Sequence, residues 1–472
     1  MLKNHIYNIL ISDVEFQLTE SQDDMLHFLS EFISFSGDDR IFLMKGFAGT
    51  GKTTLINLLV KALERCRIPV VLLAPTGRAA KVLMNYTGRP AYTIHKKIYR
   101  QKSAEDGTGL FVLDKNLHKS AVFIVDEASM ISNQSADSSV FGSGKLLDDL
   151  LEYVYSGHGC RLVLSGDTAQ LPPVGLPLSP ALDARVLGEY GFEVVENELK
   201  DVVRQESQSD ILMNATAIRE FLSGGEASGF FRIVTGEHGD IERLSGGDLI
   251  EKIGESYEKY GIFETTVLTR SNKRANLFNK GIRSSVLYRD SEIARGDLLM
   301  VVKNNYFWAS GSESIDFIAN GDLAEIVHIY GYDNLYGFRF AEVSLRFIDY
   351  ADAEIDCKIL LDTLEIESAA LSQEDNQKLY YAIAEDYAEI RNKRERWKKI
   401  REDPWFNALQ VKFGYAITCH KAQGGQWKSV FVDTGYLSPE MLDVEFYRWL
   451  YTAFTRPVEK LCLVNFDKHF FE

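Results

Sequence analysis

Within FLMKGFAGTGKTTLINLL, residues 42–59, the glycines Gly46 and Gly51 precede Lys52 and Thr53 at the spacing G-x-x-x-x-G-K-T. Glycines placed this way, with Gly49 between them, let backbone N–H groups wrap a phosphate. Lys52 reaches the β/γ oxygens, Thr53 can ligate Mg²⁺, and Thr54 continues a helix whose positive end faces the anion. A second group, Asp126 and Glu127, closes the apolar run of AVFIVDEASM. Asp126 is placed there to hold Mg²⁺, and Glu127 to orient or deprotonate a water. Gln170 lies just past RLVLSG, where a γ-phosphate would project from a parallel α/β sheet. Arg204 in DVVRQ and Arg456 in YTAFTRP could neutralise charge developing on that phosphate. Together these residue types describe a nucleotide triphosphatase that uses ATP and Mg²⁺. Singly, each has an ordinary reading: a glycine-rich turn, an acidic surface pair, a polar turn residue or a salt-bridge arginine.

Such chemistry needs strands to deliver the loops. RIFLMK reads as a buried strand and KTTLINLLVKALERC as an amphipathic helix, which together give strand–loop–helix. Pro172 and Pro173 stiffen the chain after Gln170. Pro457 disfavours helical geometry at Arg456 and predicts that this arginine ends a helix and faces outward. The length of 472 residues predicts two to four domains. No apolar run approaches the roughly 20 residues of a membrane span. Asn8, Ser12 and Asp13 interrupt the apolar N-terminal stretch, unlike a signal peptide. Cys66, Cys160, Cys357, Cys419 and Cys462 lie far apart without a CxxC pair. That argues against a zinc site or disulfide framework and fits a reducing cytoplasm. The formal charge of −16 argues mildly against nucleic acid, yet a local basic channel can survive inside an acidic chain.

In this order the segments resemble the superfamily 1 DNA helicases of the RecD/Dda-like (1B) branch. LTESQ, ending at Gln22, resembles the adenine-reading Q motif, and the phosphate loop is motif I. APTGRAAKVL resembles motif Ia, TIHKKIY motif Ib, VDEASM motif II and GDTAQLPPVG motif III. VVRQ matches motif IV, YAITCHKAQG motif V and LYTAFTR motif VI. Gln426 replaces the glutamate common after motif V, and Pro457 stands where motif VI usually has a small residue. The resemblance implies an ATP-dependent helicase with 5′→3′ polarity on single-stranded DNA, unwinding duplex in repair, recombination or replication. Its partners would be a single strand and a duplex fork, with single-strand-binding or recombination proteins as further candidates, and it would act as a cytoplasmic monomeric motor.

The same resemblance implies an α/β fold of two RecA-like P-loop motor domains with two insertions, a β-hairpin pin and an SH3-like β unit. Residues 1–14 would be an N-terminal extension. The first motor domain would span 15–97 and 119–198, and the second 199–289 and 409–472. The SH3-like insertion at 290–408 would end in one long polar helix, about Asn376 to Glu402, whose basic cluster RNKRERWKKIRE reads as a solvated face or a DNA contact. Motifs Ia, Ib and V supply Thr76, Thr93, His95, Lys96, Thr418, His420 and Lys421, groups suited to phosphate and sugar contacts. In 98–118, EDGTG is a turn signal between strand-type residues and predicts a hairpin. Phe111, or its rival Tyr99, would stack on a base there. A regulatory or protein-remodelling P-loop ATPase, or a non-nuclease subunit of an exonuclease complex, remains an alternative. No separate carboxylate–lysine nuclease segment is visible.

Overall fold

The computed structural model describes residues 2–35, 37, 39–101, 111–134, 142–201, 209–224, 227–236, 238–309, 315, 318–350 and 353–471. The N-terminal half supplies β1 (Arg40–Gly46), β2 (Val70–Ala74), β3 (Ala91–Thr93), β4 (Tyr99–Gln101), β5 (Phe111–Leu113), β6 (Val122–Val125), β7 (Arg161–Gly166) and β8 (Glu193–Leu199). Six of these form a parallel sheet in the order β3-β2-β6-β7-β1-β8. Its central strands read as unbroken apolar runs because helices cover both faces. Ile41, Leu43, Phe123 and Leu164 enter one core layer, and Phe42, Met44, Val122 and Val163 enter the other.

The C-terminal half adds β9 (Ile241–Leu244), β10 (Thr265–Thr269), β11 (Leu298–Val301), β12 (Leu323–Leu335), β13 (Phe338–Phe347), β14 (Ala353–Leu360), β15 (Leu409–Phe413), β16 (Ala416–Thr418), β17 (Trp427–Asp433) and β18 (Pro457–Val464). A second parallel sheet has the order β16-β10-β17-β18-β9. Between β10 and β16 in sequence, β11 to β15 close a barrel. Two RecA-like sheets and a small β-barrel are thus the architecture, with β4 and β5 paired antiparallel, Tyr99 opposite Leu113. The turn of that hairpin lies outside the described residues.

Two expectations change in the insertion. Its barrel closes through β15, which runs past the expected boundary at 408 and pairs with both β11 and β14. The single long helix is instead two, Gln373–Asp386 and Lys393–Arg401, with Asn392 capping the second through Arg394 and Glu395 N–H. The break is explained by packing. Leu379, Ile383 and Ile400 gather with Tyr380, Trp397 and Trp405 on Phe340 and Leu360 of the barrel. One straight helix could not present all of them to one patch. In the N-terminal extension, helix Leu2–Ser12 leans on the motor core, where Tyr7 stacks on His27 at 3.8 Å and Asp13 pairs with Arg65 at 2.6 Å.

Candidate nucleotide site and nucleic-acid interface

β1 ends at Gly46 and helix Lys52–Arg65 begins six residues later, so the loop between them carries the cradle. Gly51 adopts φ 89°, a left-handed conformation that favours glycine, and a Cβ there would lie 2.7 Å from Gln22 Nε2. Lys52 Nζ donates to the Gly46 and Phe47 carbonyls at 2.7 and 2.9 Å, which holds the ammonium inside the loop. Thr53 and Thr54 follow on the first helical turn. Gln22 is buried; it donates to the Thr50 carbonyl at 3.0 Å and accepts Thr19 N–H at 3.2 Å. One N–H and one lone pair of its carboxamide are left for a base. Gln22 is therefore also a strut under the phosphate loop.

Parallel strands deliver the next groups to the same edge. Asp126 follows β6 and accepts the Ser165 hydroxyl at 2.9 Å. Glu127 has φ 54°, an uncommon conformation for a residue with a side chain and one that recurs where function constrains the backbone. Burial pushes both carboxyls upward. Lys52 opposes this at Asp126, and Arg456 opposes it at Glu127. Gln170 is 5% exposed and its Oε1 has no hydrogen-bond partner among the described residues. A cationic loop, two buried carboxyls and an orphaned amide oxygen fit ATP with Mg²⁺. Lys52, Thr53 and Asp126 would hold them, and the bound pair would supply the phosphoryl group and the Lewis acid.

Arg456 comes from the other sheet. It stands two residues past helix Val444–Phe454, as the proline predicts, but it is buried rather than outward, at 4% exposure. Its guanidinium donates to the carbonyls of Thr452 at 3.0 Å and Gly425 at 3.2 Å and to Thr455 Oγ1 at 2.8 Å. These anchors hold its charge near enough to Glu127 to oppose the effect of burial on that carboxyl. Arg204 lies outside the described residues.

Several residues at this junction escape the motif arithmetic. Leu171 N–H donates to Thr452 Oγ1 at 2.9 Å, and Gln423 Nε2 donates to the Leu171 carbonyl at 2.6 Å. Tyr451 joins Ala48 and Asp167. Arg78 lies 3.9 Å over the Trp427 ring and donates to the Gln426 carbonyl at 3.0 Å. The Arg219 guanidinium sits 4.5 Å over Phe47 of the phosphate loop. Tyr451, Thr452 and Gln423 lie inside motifs already read, so position was available as a signal. Arg219 lies in an ordinary amphipathic helix, and no local signal marks it.

The expected nucleic-acid residues fall into two groups that partly meet. Thr76 caps helix Gly77–Thr87 by accepting Ala79 N–H at 3.2 Å. Gly424, at φ 74°, passes so close that a Cβ would lie 2.8 Å from Ala79 Cβ and 3.6 Å from Thr76 Oγ1. Motif V thus faces motif Ia across the domain junction, with Thr418, His420 and Lys421 on the loop leading to Gly424. Thr93 caps helix Ile94–Ile98 through Lys96 N–H at 3.2 Å. Burial pulls the His95 imidazole down to about 4. Burial also pulls His420 down. Both rings are hydrogen-bonding groups, not charges. In the hairpin, Tyr99 is buried and donates to Asp149 at 2.6 Å, so it is not the exposed aromatic. Phe111 is half-buried, its ring 4.2 Å from Tyr306 of the barrel unit.

Two RecA-like sheets with a phosphate loop on one and a buried arginine from the other define a P-loop motor ATPase. Residues 18–228 match the family described as AAA domain, and residues 413–464 match the UvrD-like helicase C-terminal domain. The chain is 25% identical to the ATP-dependent DNA helicase dda of Enterobacteria phage T4, over 88% of this chain and 92% of that one. It is 24% identical to protein R530 of Acanthamoeba polyphaga mimivirus, over 92% and 97%. Among solved structures, one described as two coordinating Pif1 helicases unwinding forked duplex DNA aligns at TM-score 0.48 and 15% identity. It covers 97% of this chain and 94% of that one, and adds nothing to the topology above. The chain belongs to the superfamily 1B DNA helicases, in the RecD/Dda-like branch.

Proposed function

We propose that this enzyme hydrolyses ATP to translocate 5′→3′ on single-stranded DNA and to split a duplex at a fork. Arg456 of one sheet anchored beside Glu127 of the other is the observation that carries the reading. It makes the hydrolytic site depend on closure between two units that each bear strand-contacting groups. In this reading Lys52 and Thr53 hold the phosphates and metal, Asp126 shares the metal, and Glu127 activates the attacking water. Gln170 reports the γ-phosphate, while Arg456 and Arg204 neutralise the transferring phosphoryl. Thr76, Thr93 and Lys96 grip the strand from the first sheet, and Thr418, His420 and Lys421 from the second. Alternating grip as the cleft closes and opens converts hydrolysis into stepping.

Strand displacement on 5′-tailed and 3′-tailed duplexes with ATP and Mg²⁺ tests this directly. Displacement of the 5′-tailed substrate alone is expected. Preference for a 3′ tail would reverse the polarity, and failure on both with no stimulation of ATPase by oligo-dT would favour a protein-remodelling ATPase.

A further inference from the structure

Arg219 stands against the phosphate loop with part of its guanidinium unpaired. On helix Asp210–Ser223, Ile211, Ala215 and Ile218 are buried in the core. That helical stripe sets Arg219 one turn after Ala215, at the edge of the packed face. Its side chain is 12% exposed, and its guanidinium lies 4.5 Å over the Phe47 ring. Phe47 opens the phosphate loop: its carbonyl accepts Lys52 Nζ at 2.9 Å, and its side chain packs on the core that holds Ile211, Ala215 and Ile218. The next residue, Ala48, donates its N–H to the Tyr451 hydroxyl, where the charge of Arg219 opposes the upward push of burial. Arg219 Nη1 is buried and has no hydrogen-bond partner among the described residues. Among those residues its one ion-pair partner is Glu220 at 3.8 Å, a side chain 71% exposed and too solvated to neutralise a buried guanidinium.

An aromatic ring satisfies the face of a guanidinium but none of its edge N–H groups. The group stays protonated, so a buried unpaired N–H is a standing cost that a bound anion removes. We propose that Arg219 is a further phosphate-contacting arginine, whose Nη1–H donates to the terminal phosphate of ATP while Phe47 holds the guanidinium plane against the loop. The contact rests on the ATPase reading and deepens it, because it separates nucleoside triphosphate from diphosphate. Phe47 and Ala48 belong to the first sheet's loop, and Arg219 and Tyr451 come from the C-terminal half. A terminal phosphate therefore ties the two halves together at the first residues of the loop. Hydrolysis releases the tie, since ADP presents no acceptor there.

Full-length wild type, Arg219→Gln and Arg219→Lys are compared by competition against a fluorescent ADP. The competitors are ADP, AMP-PNP and ADP with aluminium fluoride, each with Mg²⁺ and oligo-dT. One charge-assisted hydrogen bond corresponds to roughly a 10- to 100-fold change in affinity. In Arg219→Gln, affinity for AMP-PNP and for the aluminium fluoride complex is expected to fall by about that factor. Affinity for ADP and the melting temperature without nucleotide should stay near wild type. Arg219→Lys keeps the charge but loses the planar fork, and its losses should fall between the two. A loss confined to the aluminium fluoride complex keeps the contact and dates it to phosphoryl transfer. Unchanged affinity for both ligands that carry a terminal group overturns it. So does an equal loss for all three ligands, or a lower melting temperature with the triphosphate preference intact, either of which marks a packing residue. Should the wild type bind neither AMP-PNP nor ADP, the ATPase reading itself has failed, an outcome distinct from loss of this contact.

Discussion

The Tyr451 hydroxyl donates to the Asp167 carboxylate at 2.7 Å and accepts Ala48 N–H at 2.9 Å. One fully buried side chain of helix Val444–Phe454 thereby touches the phosphate loop and the loop that carries Gln170. Tyr451→Phe leaves the Ala48 amide and one carboxylate oxygen of Asp167 unpaired, Oδ1 keeping Ala169 N–H, at a cost of about 1–3 kcal/mol to the closed arrangement. DNA-stimulated kcat should fall by roughly 10-fold or more, with a smaller effect on the basal rate, in steady-state ATPase assays with and without oligo-dT. An unchanged stimulated rate would show that the contact merely accompanies closure.

Lys52→Ala removes the ammonium held by Gly46 and Phe47 and leaves the apolar strand and helix around it intact. ATPase activity should vanish while the melting temperature and oligo-dT binding stay near wild type. Near-normal turnover would remove the phosphate-cradle assignment.

Arg204→Ala and Arg456→Ala should each lower kcat by roughly 10³-fold or more if both meet the transferring phosphoryl. Arg456 is also hydrogen-bonded to Gly425 and Thr452, so its truncation should lower the melting temperature too. Arg456→Lys separates the effects by keeping charge while losing the planar fork. Normal DNA-stimulated turnover in Arg456→Ala, with a lower melting temperature, would assign it to packing alone.

Phe111 meets Tyr306 at the edge of the barrel unit. If its ring splits the duplex, Phe111→Ala should keep DNA-stimulated ATPase and single-strand translocation while losing most unwinding. Base stacking of this type is worth roughly 1–3 kcal/mol. Equal losses in all three assays would mean that Phe111 only packs the hairpin against its neighbours.

Two buried ammoniums, Lys412 of β15 and Lys421 of motif V, also predict a pH dependence. Both titrate near 8 in the folded protein, well below the ~10.4 of an unfolded lysine. The unfolded chain therefore binds more protons between those values, so stability without DNA should rise with pH across that window. Below about 8 the cost of burying charge is fully present. A bound phosphate favours the charged form, so oligo-dT affinity should fall over the same window. Opposite trends in thermal melts and anisotropy check the pair, and Lys412→Met together with Lys421→Met should flatten both.

Local sequence exposed the nucleotide half of the site because each group there follows a buried strand. Gly46, Asp126 and Gln170 could be placed at strand ends from apolar runs alone, and the parallel sheet brings those ends together. Arg456 shows where such reading stops. Pro457 marked the helix end, but direction depended on Gly425 and Thr452, which sit on segments that only tertiary packing unites. The neutral state of His95 was likewise hidden, since burial is a property of neighbours distant in sequence. The broken helix at 387–392 came from aromatic residues competing for one barrel patch, a competition that helical periodicity does not register.

Only Gly414 and Tyr415 separate the last barrel strand from β16 of the second sheet. A Cβ at Gly414 would lie 3.0 Å from Leu298 Cγ. The Tyr415 hydroxyl donates to Asp297 at 2.9 Å and accepts Leu298 N–H at 3.0 Å. A joint this short and this tightly bonded has no slack, so the barrel is an outrigger welded to the second sheet. Its long hairpin, at about 3.3 Å per residue along β12 from Glu325 opposite Leu298 to Leu335, reaches up to roughly 33 Å from the weld. A rotation of about 10° in the sheet therefore sweeps the hairpin tip through roughly 6 Å at that reach. The tip gains travel and gives up force in proportion, the gearing of a long arm on a short pivot.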